Sequence, residues 1–156
     1  MSDAIRRIAI TGASGYIGSQ LIKRLQDDDG IDRILAFDIR PMKFNPSSKV
    51  IFLKQGITCP MAEALNQNKI QAVVHLAFIL GPGRNRDAIQ KVNLRGTSNV
   101  LESCAQTNVK HLLYLSSTTV YGAHPDNPPL LTEESQLRPV KGFQYGEDKA
   151  RSEALL

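Results

Sequence analysis

The stretch "ITGASGYIG", residues 10–18, limits what this chain can fold into more than any other segment. Its glycines stand at 12, 15 and 18, directly after the apolar run "RRIAITG" and at the start of "GYIGSQLIKRLQ", whose apolar residues recur at helical spacing. A strand that ends in a glycine turn and opens a helix is the phosphate corner of a β-α-β unit. One glycine allows the tight turn, one lets backbone N–H groups approach a pyrophosphate, and one lets the helix pack close to the sheet. The helix N-terminus then offers unsatisfied donors and a partial positive charge to the phosphates. The spacing is GxxGxxG rather than GxGxxG, so the strand-turn-helix context gives the pattern its meaning. Taken alone, the motif also reads as a plain glycine turn.

The rest of the chain repeats this rhythm. "DRILAFD", "KVIFLKQ", "QAVVHLAF" and "VKHLLYLSS" read as four further strands, with "MAEALNQN" a short helix. "RDAIQKVNLRGTSNVLESCAQT" reads as a long helix in which Ile89, Val92, Val100, Leu101 and Cys104 fall close to one face. Short apolar strands alternating with amphipathic helices predict an α/β fold with a doubly wound parallel sheet, its strands buried on both faces. At 156 residues and 42% hydrophobic, the chain has the material for one core. "IRPMKFNPSSK" and "ILGPGRNR" are loops by their Pro and Gly content, and "GAHPDNPPLLTEESQLRPVKGFQ" is a long irregular stretch of the kind that is usually functional.

Three further features carry chemistry. Asp38 ends the second strand, where an acid can bind the ribose hydroxyls of an adenosine and would repel a 2'-phosphate, so NAD is favoured over NADP. Arg40 stands two residues on, placed to offset that repulsion or to lie against the adenine face. Near the end of the chain, Tyr145 and Lys149 are spaced i, i+4, so a helix projects both from one face. A phenol has a pKa near 10, and a neighbouring ammonium stabilises its phenolate. Tyr145 in such company can exchange a proton with a substrate hydroxyl, while Ser117, at the end of the fifth strand, donates a hydrogen bond to the same oxygen. A Tyr and a Lys at this spacing also occur on many solvated helix faces.

Taken in order, "TGASGYIG", "FDIRP", "HLAF", "VNLRGTSNVL", "SSTTVYG" and "YGEDK" resemble the motifs of the extended short-chain dehydrogenase/reductases, specifically the NAD-dependent epimerase/dehydratase group. The resemblance runs from end to end of the chain and implies a Rossmann-type fold. It implies that Ser117, Tyr145 and Lys149 form the catalytic set, with Lys149 also holding the nicotinamide ribose. It implies that Gly12, Gly15, Tyr16, Ile17 and Gly18 surround the pyrophosphate, that Asp38 takes the adenine-side ribose, and that Leu76 and Ala77 lie along the cofactor. Asn93 would support the active-site backbone from the long helix. Two departures stand out. Gly56 occupies the usual place of an acid after the third strand, which leaves adenine contact to Ile57 and backbone, and Glu147 and Asp148 put negative charge beside Lys149 where small residues are common.

The resemblance also implies a nucleotide sugar as substrate, and helix-mediated homodimers built on the helices at 84–107 and at Tyr145. Family members continue for roughly as many residues again, so the chain is expected to be the incomplete NAD(P)-binding Rossmann domain of a longer enzyme, lacking the substrate-binding domain and inactive alone. A non-catalytic dinucleotide-binding or interaction module on the same fold is the competing reading. At a formal net charge of +4, with Lys and Arg scattered among acids, nothing points to nucleic acid, and no apolar run is long enough to span a membrane. The opening residues show no secretory signal. Cys59 and Cys104 lack metal-ligand spacing and suit a reducing, cytoplasmic setting.

Overall fold

The computed structural model describes residues 4–81 and 85–156. They group into two compact units, one made of the residues up to Phe78 with Gly96–Leu115, the other of Ile79–Arg95 with Ser116–Leu156.

The first unit holds five strands: β1 (Arg7–Thr11), β2 (Arg33–Asp38), β3 (Val50–Lys54), β4 (Ala72–His75) and β5 (His111–Tyr114). They form one sheet in the order β3-β2-β1-β4-β5, and every pairing is parallel. The order runs outward from β1 in both directions, which is the doubly wound, Rossmann-type arrangement expected from the sequence. Period-two alternation builds a core on each face of the sheet. Ile8 and Ile10 of β1 join Ile34 and Ala36 of β2 and Ile22 of helix α1 (Tyr16–Leu25) on one side. Ala9, Leu35, Phe37 and Val73 face the other way, onto Leu65 of helix α2 (Ala62–Gln67) and Val100 of helix α3 (Arg86–Ala105). Burial on both faces therefore holds for β1 and β2. It fails for β5, which pairs only with β4 and leaves Leu113 57% exposed.

Helix α3 departs from its expected packing. The residues it buries are Asn93, Gly96, Thr97, Val100 and Ser103, a stripe at i, i+3, i+4, i+7 and i+10 that is mostly small or polar. Of the five apolar positions expected on its inner face, Val100 alone is fully buried. The physical reason is local: Gly96 has no side chain, and Ile57 fills the space a Cβ would occupy. Ser103 Oγ accepts a 3.4 Å hydrogen bond from the Met61 amide, so the polar stripe is bonded where it is buried. An expected helix boundary at 84 lies outside the described residues.

The second unit contains the first half of α3, a 3-10 turn at Thr118–Val120 and helix α4 (Gln144–Glu153). Between them, residues 121–143 form no helix or strand, in line with their Pro content, yet they are cross-tied. Arg138 donates to both carboxylate oxygens of Asp126, at 2.8 and 3.3 Å, and to Asn127 Oδ1 at 2.7 Å. That guanidinium holds the Asp126 carboxyl below the usual carboxylate range. No helix among the described residues is long and apolar enough to cross a membrane.

Replacing Gly96 by Val should drive side-chain atoms into Ile57 and lower stability by roughly 1–3 kcal/mol. Gly81→Ala, where an added Cβ meets nothing within 4 Å, should stay within about 0.5 kcal/mol of the parent. Urea unfolding of both variants measures the contrast.

Candidate functional site

In the first unit, the β1-α1 corner is built by close backbone approach. Gly12 has φ 71°, and a Cβ there would stand 2.7 Å from the Ala77 nitrogen and 2.9 Å from its Cα. Only glycine takes both the left-handed conformation and that contact. Gly18 works similarly within the corner, since a Cβ on it would run into the Gly12 carbonyl oxygen. The turn is then tied down on the β2 side: Ala13 N donates to Phe37 O at 3.1 Å, and Ser14 N donates to Asp38 Oδ2 at 2.9 Å. Ser14 Oγ adds a 2.7 Å bond to Arg40 O.

Helix α1 begins from Gly15, which supplies no capping side chain, and no acid stands in its first turn. The amides of Tyr16, Ile17 and Gly18 have no acceptor inside the helix. Tyr16 is 83% exposed and Ile17 50%, so this end of the helix is open. An uncapped, acid-free N-terminus behind a tight glycine turn fits the pyrophosphate of a dinucleotide. Asp38 is nearly buried at the end of β2. Its oxygens accept from Ser14 N and, at 2.9 Å, from Arg40 N, using about half of a carboxylate's lone-pair capacity. The remainder suits a pair of ribose hydroxyls. Arg40 Nε lies 3.7 Å from Asp38 Oδ1 on a largely exposed side chain.

Leu76 and Ala77 follow β4 and both amides donate to Thr11 Oγ1, each at 3.2 Å. Ile57, expected at the adenine, has its side chain in the core against Gly96, and its carbonyl accepts from Asn99 Nδ2 at 2.7 Å.

In the second unit, Ser117 caps the 3-10 turn. Its Oγ accepts from Thr119 N at 3.3 Å and from Thr119 Oγ1 at 2.9 Å, so its own proton remains to be donated. Helix α4 packs on this turn through Gly146, where an added Cβ would stand 3.0 Å from Thr119 O. The absent side chain brings the helix carrying Tyr145 and Lys149 against the segment carrying Ser117. Lys149 Nζ lies 6.0 Å from the centre of the Tyr145 ring, which also packs edge-on to Phe143. Lys149 is only 3% exposed. Burial pushes its pKa from the ordinary 10.5 down to about 8, and the Glu153 carboxylate opposes the drop. Tyr145 lines a cleft of about 260 Å³ together with Ile79, Leu80, Ile89, Phe143 and Arg86.

The two acids that precede Lys149 make hydrogen bonds elsewhere. Asp148 is fully buried and accepts from Gln90 Nε2 at 3.1 Å and Asn93 Nδ2 at 3.2 Å. Glu147 accepts from Gly142 N at 3.0 Å. Glu153 is the acid that raises the Lys149 pKa, one helical turn on, a relation that i, i+4 spacing alone would have signalled. Asn93 does hold backbone: its Oδ1 accepts from Ile79 N at 2.9 Å.

Comparison with known proteins agrees with the fold. The family model described as "NAD dependent epimerase/dehydratase family" matches residues 8–156. The sterol-4-alpha-carboxylate 3-dehydrogenase (decarboxylating) of Candida albicans is 33% identical over 130 residues, covering 77% of this chain and 37% of that protein. Among solved structures, the Bordetella bronchiseptica enzyme WbmG in complex with NAD and UDP superposes with a TM-score of 0.82 at 26% identity, over 96% of this chain and 48% of that one. The Bacillus cereus UDP-glucuronic acid 4-epimerase in complex with NAD does so with a TM-score of 0.79 at 26% identity, over 96% and 50%. The chain thus spans about a third to a half of the length of these relatives.

The depressed pKa of Lys149 has a measurable sign. Between about pH 8 and 10.5 the unfolded chain holds a proton on this amine that the folded chain has released, so stability rises with pH across that window. Relative to Lys149→Met, the parent should gain roughly 1–3 kcal/mol between pH 8 and 10, measured by denaturant unfolding at each pH.

Proposed function

Because the chain belongs to the NAD dependent epimerase/dehydratase family, we propose that it is the NAD(P)-binding Rossmann portion, residues 1–156, of a cytoplasmic enzyme that moves a hydride between NAD and a hydroxyl-bearing substrate. NAD, when bound, supplies the hydride acceptor and donor. The chain's own groups do the rest. The amides of Tyr16, Ile17 and Gly18 face the pyrophosphate, and Asp38 takes the adenine-side ribose, which favours NAD over NADP. Tyr145 exchanges the proton of the substrate hydroxyl, Ser117 donates a hydrogen bond to the same oxygen, and Lys149 stabilises the phenolate while its amine is charged. Asn93 fixes the backbone at Ile79, and Leu76 and Ala77 border the cofactor.

The observation that carries this reading is the contact of Gly146 with Thr119, which brings Tyr145 and Lys149 on α4 against the turn capped by Ser117. A plain binding module needs neither that packing nor a lysine buried at such cost. Substrate class divides into two readings. A nucleotide sugar is supported by the UDP-bound WbmG and the UDP-glucuronic acid epimerase, and it is the preferred one. An apolar ring alcohol is supported by the sterol dehydrogenase relative and by the Ile79, Leu80, Ile89 and Phe143 lining of the cleft beside Tyr145. The substrate-binding part, any homodimer contact and the finer choice among epimerase, dehydratase and dehydrogenase chemistry belong to the longer protein.

In the full-length protein, Tyr145→Phe should lower turnover by about 10²–10⁴-fold and leave NAD affinity nearly unchanged. Product analysis with UDP-glucose, where an epimerase or dehydratase returns the hydride and leaves no net NADH, and steady-state reduction of NAD with a 3-hydroxysterol carboxylate test the role and the two substrate classes together; undiminished turnover in the variant removes Tyr145 from the chemistry. Asp38→Ala should weaken NAD roughly tenfold and NADP far less, and equal losses in a fluorescence titration would remove the NAD preference.

A further inference from the structure

One buried ionisable side chain in the first unit takes no part in the chemistry above, and it sits directly behind the glycine corner. His75 is the last residue of β4 and is only 1% exposed. Its Nδ1 lies 2.7 Å from Thr11 Oγ1, across the β1-β4 pairing that sets Thr11 opposite His75. Its Nε2 lies 3.2 Å from Thr97 Oγ1 on α3.

Hydrogen-bond accounting at Thr11 decides the roles. The Thr11 hydroxyl oxygen already accepts from the amides of Leu76 and Ala77, which use both of its lone pairs. What it has left is its proton, so Thr11 donates and His75 Nδ1 accepts. A neutral imidazole that accepts at Nδ1 carries its hydrogen at Nε2, and that hydrogen points to Thr97 Oγ1. A doubly protonated ring would present a third donor to an oxygen with no lone pair to spare, inside a site closed to water, and that is unfavourable.

We propose that His75 is a positioning residue for dinucleotide binding: a neutral, Nε2-protonated imidazole that orients the Thr11 hydroxyl so that it grips the Leu76 and Ala77 amides. The consequence reaches the corner because Ala77 is the residue whose backbone Gly12 touches. If the Thr11 hydroxyl rotates, the Ala77 amide loses its acceptor and the Leu76 amide keeps only the Thr11 carbonyl at 3.2 Å, so the backbone after β4 shifts at Ala77 and Gly12 loses the surface that shapes the turn. Thr97 completes the chain from α3, which explains a buried threonine on a helix face that amphipathic spacing would fill with aliphatic residues.

The inference concerns NAD binding and not turnover, so it is separable from the Ser117, Tyr145 and Lys149 assignment. Two measurements on the full-length protein test it. In ¹⁵N-histidine spectra at neutral pH, the His75 resonances should show a protonated Nε2 and an unprotonated Nδ1; the opposite tautomer or a doubly protonated ring overturns the proposal. This first reading uses the unmutated protein and holds whatever the variants do. In NAD titrations, His75→Phe, which keeps a ring but no nitrogen, should raise Kd about tenfold or more, and His75→Asn, which restores an acceptor toward Thr11, should recover most of that loss. A Thr11→Val, His75→Phe double variant should bind NAD no worse than the worse of the single variants, since both remove the same orientation. Unchanged Kd in a folded His75→Phe, no rescue by Asn, or additive losses in the double variant each overturn the positioning role.

Discussion

The contact between the Gly12 backbone and the backbone of Ala77 is the constraint on which the first unit's chemistry depends. It needs a left-handed residue without a side chain at one place in the chain, and once that is met the surrounding bonds follow. Thr11 can reach the amides after β4, Ala13 can reach the carbonyl of Phe37 on β2, and Ser14 can reach Asp38. The turn is thereby held by strands on both sides before α1 begins. A helix entered from such a turn keeps its first amides open at the carboxyl ends of the strands, where an anion meets both N–H groups and the positive end of the helix dipole.

Asp38 holds two segments at once. Its carboxylate holds the loop through Ser14 N and the following segment through Arg40 N, and it is nearly buried while doing so. The acid thus shapes the corner through both of its oxygens, and about half of its accepting capacity is left over. Lys149 in the second unit is a comparable case. Its burial disfavours the ammonium, its neighbour Glu153 favours it, and the outcome is an amine whose pKa falls from 10.5 to about 8.

Much of this was legible in the sequence because the informative residues are ones whose chemistry is restrictive. Five strands and their order of appearance followed from short apolar runs between helical stretches, and the corner followed from glycines at 12, 15 and 18. What escaped is instructive. The inner face of α3 was expected to be aliphatic; it is Asn93, Gly96, Thr97, Val100 and Ser103, because Ile57 intrudes at Gly96 and the polar members find partners across the packing. Periodicity of hydrophobic residues has no signal for a buried stripe that is small and hydrogen-bonded. Sequence proximity alone points to Glu147 and Asp148 beside the Lys149 charge, whereas helical geometry turns Asp148 toward Gln90 and Asn93 and brings Glu153, one turn on, to the amine. The exposure of Leu113 on β5 was also hidden, since an edge strand and a central strand of a parallel sheet share the same apolar composition.

The central claim is that a dinucleotide seats on the open N-terminus of α1 with Asp38 at its ribose. Backbone amide NMR of the labelled protein during titration with NAD tests it most directly. The resonances of Tyr16, Ile17 and Gly18, and those around Asp38 and Arg40, should move together and saturate with one Kd. Saturable NAD binding that leaves these amides in place, or no binding at millimolar NAD, would contradict it.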